Sequence, residues 1–179
     1  AGDLLVFAHQ ETYQLPAVIV RCTNVYGPRQ LPEKFVPLSI TNALEDRLLP
    51  IYGDGQQRRC WLFVEDLCLA LELVAQRGEV GTIYNVGSAS EFPNIEVART
   101  ILKMLGKPET LLAFVADRPG HDWRYALDDR RLRALGWTPQ VAFEYGLQRT
   151  IEWYRTHRVW WGPLKNQLRE DPYHWLDRP

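Results

Sequence analysis

The chain has 179 residues, 21 Lys and Arg against 22 Asp and Glu, and a formal net charge of −1, which excludes nucleic-acid binding driven by bulk positive charge. The length fits one domain of ordinary size, and a 46% share of hydrophobic residues supplies a core. With 24% charged residues and 12 each of Gly and Pro, long disordered, collagenous or coiled-coil stretches are excluded as well.

Ala1, Leu4, Leu5 and Ala8 stand at helical spacing with no capping side chain ahead of them, so the chain is expected to begin inside an element. Residues 17–21, Ala-Val-Ile-Val-Arg, form a continuous run of the kind that suits a strand covered on both faces of a parallel sheet. Residues 23–33, punctuated by Gly27, Pro28 and Pro32, are expected to be irregular, with a helix over about 35–45 and a strand at 49–52. Gly53-Asp54-Gly55 marks a turn before a strand around 59–63. Val64, Leu67, Cys68, Leu71 and Val74 then recur at helical spacing, with Glu65 and Asp66 in the first turn, where the helix dipole favours acids.

A strand is expected at 82–86 and a loop at 87–93 that leads to Asn94 as an N-cap. Ile95, Ala98, Ile101, Leu102 and Leu105 make the apolar stripe of the next helix, stopped by Gly106 and Pro108. A strand at 112–115 precedes a polar break at 117–122. A short helix at 129–135 stops at Gly136, a longer one carries Phe143, Leu147, Ile151 and Tyr154, and residues 160–179 read as irregular. Intermingled strands and helices make the class α/β or α+β. Cys22, Cys60 and Cys68 are an odd set without C-x-x-C spacing, which argues against a disulfide framework or zinc site and for a reducing, cytoplasmic compartment. No apolar run approaches the ~20 residues of a bilayer span, no signal-peptide pattern opens the chain, and no membrane partner is expected.

Neither G-x-G-x-x-G nor G-x-x-x-x-G-K-[ST] occurs, H-E-x-x-H and G-x-S-x-G are absent, and the four His are scattered at 9, 121, 157 and 174. A self-contained hydrolase or metalloenzyme is therefore not supported, and no metal is expected. Polar groups gather instead beside strand ends: Asn24, Arg29 and Lys34; Arg58 and Arg59; Asn85; Arg118, His121 and Arg124. Guanidinium groups converging from separate loops match the paired oxygens of a diphosphate. Taken singly, each Arg reads more readily as a solvated charge, and Asn24 and Asn85 equally as turn or capping residues. Asp117 with His121 reads as a pair that orients loop or ligand, and Cys60 as a small buried hydrophobe.

Arg21-Cys-Thr-Asn-Val-Tyr-Gly-Pro, Leu31-Pro-Glu-Lys-Phe-Val-Pro-Leu, Leu49-Pro-Ile-Tyr-Gly-Asp-Gly and Arg59-Cys-Trp-Leu-Phe-Val-Glu-Asp resemble the carboxyl-terminal half of extended short-chain dehydrogenases/reductases that act on nucleotide sugars. Ile83-Tyr-Asn-Val-Gly and Asp117-Arg-Pro-Gly-His-Asp-Trp-Arg-Tyr-Ala-Leu-Asp narrow the resemblance to the dTDP-glucose 4,6-dehydratase family, over Ala1 to about Trp161. The resemblance implies an incomplete Rossmann-type α/β fold. Residues 1–26 and about 82–95 would belong to the Rossmann sheet and its helices, and the remainder mostly to a smaller α/β substrate-binding domain. Ala1-Gly2-Asp3-Leu4-Leu5 resembles the continuation of the helix that bears the family's Y-x-x-x-K. The glycine-rich NAD loop, the Tyr/Lys pair and the Asp/Glu pair for water elimination are accordingly expected upstream, with NAD held mainly by that missing half and no catalytic residue in this chain.

In the family, hydride leaves C4 of the hexose to NAD, water is lost across C5 and C6, and the hydride returns to C6. This half would hold the nucleotide so that the hexose faces the nicotinamide. By the resemblance, Asn24 touches the diphosphate or sugar, and Glu33, Lys34, Phe35, Val36, Pro37 and Leu38 line the nucleotide pocket at a helix start. Leu49, Pro50 and Ile51 wall the thymine, Arg59 pairs with the diphosphate, Asn85 bonds the nucleotide, and Asp117, Arg118, Pro119, Gly120 and His121 close over base and ribose.

Two departures stand out. Val25 occupies a position where relatives usually have an Asn that contacts NAD, which weakens cofactor contact from this half. Cys60 replaces a usual Asp beside the substrate Arg, which would loosen Arg59 unless Arg58 substitutes. The implied partners are a dTDP-sugar, the NAD-binding half and a second copy of the chain, since relatives are homodimers and the two parallel-sheet strands would otherwise have open edges. A noncatalytic nucleotide-sugar binding module and a UDP-sugar epimerase or decarboxylase are the alternatives, the latter disfavoured by the 117–128 motif.

Overall fold

A computed structural model describes residues 1–167. In chain order the elements are α1 (Gly2–Tyr13), β1 (Ile19–Cys22), β2 (Asn24–Tyr26), α2 (Phe35–Leu44), β3 (Leu49–Tyr52), β4 (Arg58–Phe63), α3 (Val64–Arg77), β5 (Ile83–Val86), β6 (Glu91–Pro93), α4 (Asn94–Leu105), β7 (Leu112–Val115), β8 (Arg124–Tyr125), α5 (Arg130–Ala134), α6 (Phe143–Thr156) and α7 (Arg158–Gln167). β1 and β5 pair in parallel, with Ile19 beside Ile83 and Cys22 beside Val86. β4 is the centre of a second sheet, parallel to β2 and β8 and antiparallel to β6. β3 and β7 make a third, parallel pair.

Strand alternation lets β4 serve two cores at once. Trp61 and Phe63 face one way into a cluster with Tyr26, Ile40, Ile101, Leu147 and Tyr154, built by α2, α4 and α6. Leu62 faces the other way, into a cluster with Ala70, Val74, Tyr84, Val86 and Leu132 from α3, β5 and α5. A third cluster joins Leu49 and Ile51 of β3 to Ile95, Ala98 and Leu102 of α4. Asp66, in the first turn of α3, is buried, and its carboxylate accepts from the Gln140 and Val141 backbone N–H groups at 2.9 and 3.1 Å. Its carbonyl takes the Trp137 indole N–H at 3.1 Å.

The strongly periodic segments fold as expected, and the differences lie where tertiary pairing outweighs local punctuation. β2 and β6 form inside stretches expected to be irregular because β4 offers them a ladder on either side. Pro93, not Asn94, stands at the N-cap position of α4. The backbone N–H groups of Asn94 and Ile95 donate to Gln57 and Gly55 carbonyls at 3.1 and 3.0 Å, so the turn at 53–57 caps the helix without a side chain. The helix α7, residues 158–167, runs into the stretch from 160 onward that was expected to be irregular, despite Pro163. Trp161 and Lys165 are buried one turn apart on it, and Lys165 bonds Glu45 at 3.0 Å.

Glu45 follows the last turn of α2, where an acid is unfavourable. Burial pushes its carboxyl up, but the Lys165 bond and the charges of Lys165, Arg158 and Arg47 outweigh that and bring it below its ordinary value. Lys165 and Arg158, both on α7, therefore tie that helix to the end of α2. The rest of the tail, 168–179, lies outside the described residues.

α1 buries none of its residues, leaving Leu4 72% and Leu5 64% exposed, and β1 pairs only with β5 among the described residues. The helix α6, by contrast, approaches the sheet so closely that Gly146 has no room for a side chain. A Cβ there would collide with the Tyr26 hydroxyl and stand 2.8 Å from the Phe63 ring. Tyr26 cannot swing away without losing its bond to the Phe143 carbonyl, 3.0 Å. Gly146→Ala is expected to destabilise the chain by about 1–3 kcal/mol, although alanine improves helix propensity by about 1 kcal/mol. Urea unfolding followed by tryptophan fluorescence measures the sign, and a stabilised variant would show that the close packing is relieved at no cost.

Candidate functional site

A cavity of about 540 Å³ opens over the β2–β4 sheet and is lined by Asn24, Glu33, Lys34, Phe35, Leu38, Pro50, Tyr52, Arg59, Trp61, Asn94, Arg118 and His121. Asn24 and Trp61 are register partners across β2 and β4, and Arg59, two residues before Trp61, shares its face. Lys34 and Phe35 bring the start of α2, which has no side-chain cap, so its leading N–H groups are available to an anion.

Alternation along β3 corrects the expected wall. Leu49 and Ile51 are buried in the cluster with α4, whereas Pro50 and Tyr52 face the cavity. Val36 and Pro37 are likewise buried inside α2 and leave Phe35 and Leu38 on the cavity side.

Arg59 is only 7% exposed. Its guanidinium donates to the carbonyls of Arg58 at 2.7 Å, Asp122 at 2.8 Å and Trp123 at 3.4 Å. Burial draws it down from its ordinary value; Asp122 opposes that and Arg118 adds to it. Main-chain carbonyls thus orient Arg59 with no carboxylate beside it at position 60. Arg58 does not substitute, because it pairs with Glu91 at 2.8 Å instead.

The segment after β7 closes the other side. Arg118 is exposed and its guanidinium lies 5.3 Å from the Tyr52 ring centroid. The His121 ring meets Tyr52 edge-on at 5.9 Å. Asp117 holds this corner together, accepting from His121 Nδ1 at 2.6 Å, the Arg118 N–H at 2.8 Å and Gln57 Nε2 at 2.9 Å. The His121 bond is the main reason its carboxyl lies below the ordinary range, reinforced against burial by Arg118 and Gln57. With Nδ1 engaged, Nε2 is the ring atom of His121 left for a ligand. Gly120, at φ +68°, supplies the turn, and Pro119, Gly120 and Asp117 shape the loop without lining the cavity.

Two residues fall elsewhere. Asn85 donates to the Asp128 carbonyl at 3.0 Å and lines a separate cavity of about 550 Å³ with Arg21, Ile83, Asp128, Arg130 and Arg131. Val25 packs its side chain into the α3 cluster, and its carbonyl accepts Gln30 Nε2 at 2.8 Å. Tyr52, Trp61 and Asn94 were not foreseen. The first two follow from the period of two that already placed Pro50 and Arg59; Asn94 had no local signal, since its position depends on the 53–57 turn that caps α4.

Two guanidinium groups, an ammonium and a helix start beside aromatic walls suit a ligand with an anionic middle and a planar end. The family profile described as GDP-mannose 4,6 dehydratase matches residues 1–150. The dTDP-glucose 4,6-dehydratase of Streptomyces niveus is 48% identical over 167 residues, which is 93% of this chain and 50% of that protein. A trifunctional UDP-glucose 4,6-dehydratase, epimerase and reductase of Arabidopsis thaliana is 44% identical over 172 residues, 96% of this chain and 26% of that protein. Among solved structures, the dTDP-glucose 4,6-dehydratase DesIV of Streptomyces venezuelae, with NAD bound, gives a TM-score of 0.88 at 46% identity and covers 90% of this chain and 51% of that one. The chain spans about half the length of the curated dTDP-glucose 4,6-dehydratases it matches. Its parallel β1–β5 pair and flanking helices have the Rossmann-type short-chain dehydrogenase/reductase fold. Sequence and architecture agree: the chain belongs to the GDP-mannose 4,6-dehydratase family.

Proposed function

We propose that this chain is the nucleotide-sugar-binding part of a 4,6-dehydratase, and that it holds dTDP-glucose by the thymidine diphosphate for conversion to the 4-keto-6-deoxy sugar. The observation that carries the reading is the placement of Arg59 and Arg118 on one cavity with the open start of α2 and the Pro50–Tyr52 wall. Arg59, pre-aimed by three carbonyls, offers its remaining N–H groups to the diphosphate without having to reorganise. Arg118 adds charge from the rim, Tyr52 and Pro50 supply a flat apolar face for the base, and Asn24 bonds the sugar side.

The chain's own residues do not form a dinucleotide site. It has no glycine-rich loop, and Val25 turns an apolar side chain into the core. NAD and the proton-transfer residues are therefore assigned to polypeptide outside this chain. Residues 1–26 and about 82–95 would join that polypeptide in one Rossmann sheet, with the edge of β1 that no strand covers among the described residues as the place where its strand adds. The exposed Leu4 and Leu5 of α1 support assembly with a second copy, and three free cysteines support a reducing, cytoplasmic setting. Val25 also favours a second reading, a noncatalytic nucleotide-sugar module.

A thermal-shift titration of the full chain tests the binding claim. At about 100 times its dissociation constant, dTDP is expected to add about 2.7 kcal/mol of stability, with no response to NAD. A response to NAD and none to dTDP would overturn the reading, and a larger response to UDP would move the base preference to uracil. Mixing with an NAD-binding half separates the two readings, because only the dehydratase part restores turnover of dTDP-glucose.

A further inference from the structure

We propose that Glu91 is a positioning residue for Arg59, acting through Arg124 and the short strand β8; the inference rests on the nucleotide-binding reading of the cavity. Glu91 stands opposite Cys60 in the β4–β6 register. One carboxylate oxygen accepts Arg58 Nε at 2.8 Å and Arg124 Nε at 3.0 Å, and the other accepts the second Arg124 nitrogen at 2.8 Å. The Arg124 contact is a bidentate fork, the geometry that gives ion pairs their direction. These bonds, Arg124 first and Arg58 next, pull the carboxyl down to about 2, so it stays ionised across the working range of pH.

Arg124 opens β8, a strand of two exposed residues that runs beside Arg58 and Arg59. The two residues just before it, Asp122 and Trp123, give the carbonyls that hold the Arg59 guanidinium, and the Trp123 carbonyl also accepts the Arg58 N–H at 2.8 Å. A ladder this short is weak by itself. Among the described residues, β8 is further tied by the Tyr125 hydroxyl, which donates to the Cys22 carbonyl at 3.3 Å. Glu91 thus clamps the strap whose carbonyls aim Arg59, and does so from outside the cavity. Cys60, beside Arg59 in the chain, has no charge with which to orient it, and the carbonyls of Arg58, Asp122 and Trp123 do so instead.

Calorimetric titration of the full chain with dTDP and with thymidine separates aim from general structure, because only dTDP carries the diphosphate. Glu91→Gln is expected to weaken dTDP about tenfold and thymidine by less than about twofold. Arg124→Gln, at a side chain 58% exposed and therefore tolerant of replacement, is expected to reproduce that split and carries the test if the first variant does not fold. The double variant is expected to be no weaker than either single one, since both lie on one chain of contacts. Equal weakening of both ligands, no weakening of dTDP, or losses that multiply in the double variant would overturn the positioning role alone. A wild-type chain that binds neither ligand would overturn the nucleotide reading itself, and this role with it.

Discussion

Replacing Arg59 with alanine is expected to weaken dTDP binding by about 2–5 kcal/mol, roughly thirty-fold to a few thousand-fold. The size follows from where the charge sits. Arg59 is nearly sealed from water and aimed by carbonyls of Arg58, Asp122 and Trp123, so its attraction for a diphosphate is little screened and its side-chain entropy is already spent. Arg118 is exposed and rests on the Tyr52 ring, so Arg118→Ala should cost less, nearer the range of rim charges. Arg59→Lys is expected to fall between wild type and alanine, because an ammonium keeps the charge but loses the planar fork that fits both carbonyls and phosphoryl oxygens. Titration calorimetry of the three variants gives the order. If Arg59→Ala and Arg118→Ala lose affinity equally, the buried guanidinium has no special part in binding.

The same contrast shows how much was legible in the sequence. Arg59 was singled out from its place beside a turn and from the motif around it, and the structure brings it together with Asn24, Lys34, Phe35, Pro50, Arg118 and His121. Burial was not legible, nor were the carbonyls that hold it, because β8 lies some sixty residues away in the chain and pairs over only two residues. The strand at Leu49–Tyr52 was correctly bounded, yet Leu49, Pro50 and Ile51 were all assigned to the wall, and of these the structure puts only Pro50 on the cavity. Which face of a strand turns inward depends on α4 packing against Leu49 and Ile51, and a stretch of Leu-Pro-Ile-Tyr carries no polar residue to mark the outer face. Asn85 was drawn into the pocket by its place at a strand end and by its motif; in the structure the β1–β5 pair that carries it opens on a different cavity. The helices were read well where an apolar stripe is long, as in α3, α4 and α6, and least well in α7, most of which fell in a tail read as irregular and which Trp161 and Lys165 hold by packing and by the Glu45 bond.

Asp66→Ala is expected to destabilise the chain by about 2–6 kcal/mol, the loss of acceptors for two part-buried backbone N–H groups at roughly 1–3 kcal/mol each. From the sequence, Asp66 is one of two acids in the first turn of α3, and dipole complementarity would make either worth only about 0.3–1 kcal/mol. The structure separates them. Glu65 is exposed and pairs with Arg149 across the surface, so Glu65→Ala should cost no more than about 1 kcal/mol. Asp66 points inward and staples α3 to residues 137–141, the segment that leads into α6. Because α6 in turn packs on Phe63 and Tyr26 of the central sheet, loosening the staple loosens the support of the strand that carries Arg59. Asp66→Asn retains one acceptor oxygen and is expected to lose about half as much as alanine. Urea unfolding of the three variants decides the matter: equal, small losses at Glu65 and Asp66 would mean that the two acids act only on the helix dipole, whereas the expected gap of about 1 kcal/mol or more identifies Asp66 as a buried tie between the sheet's two supporting layers.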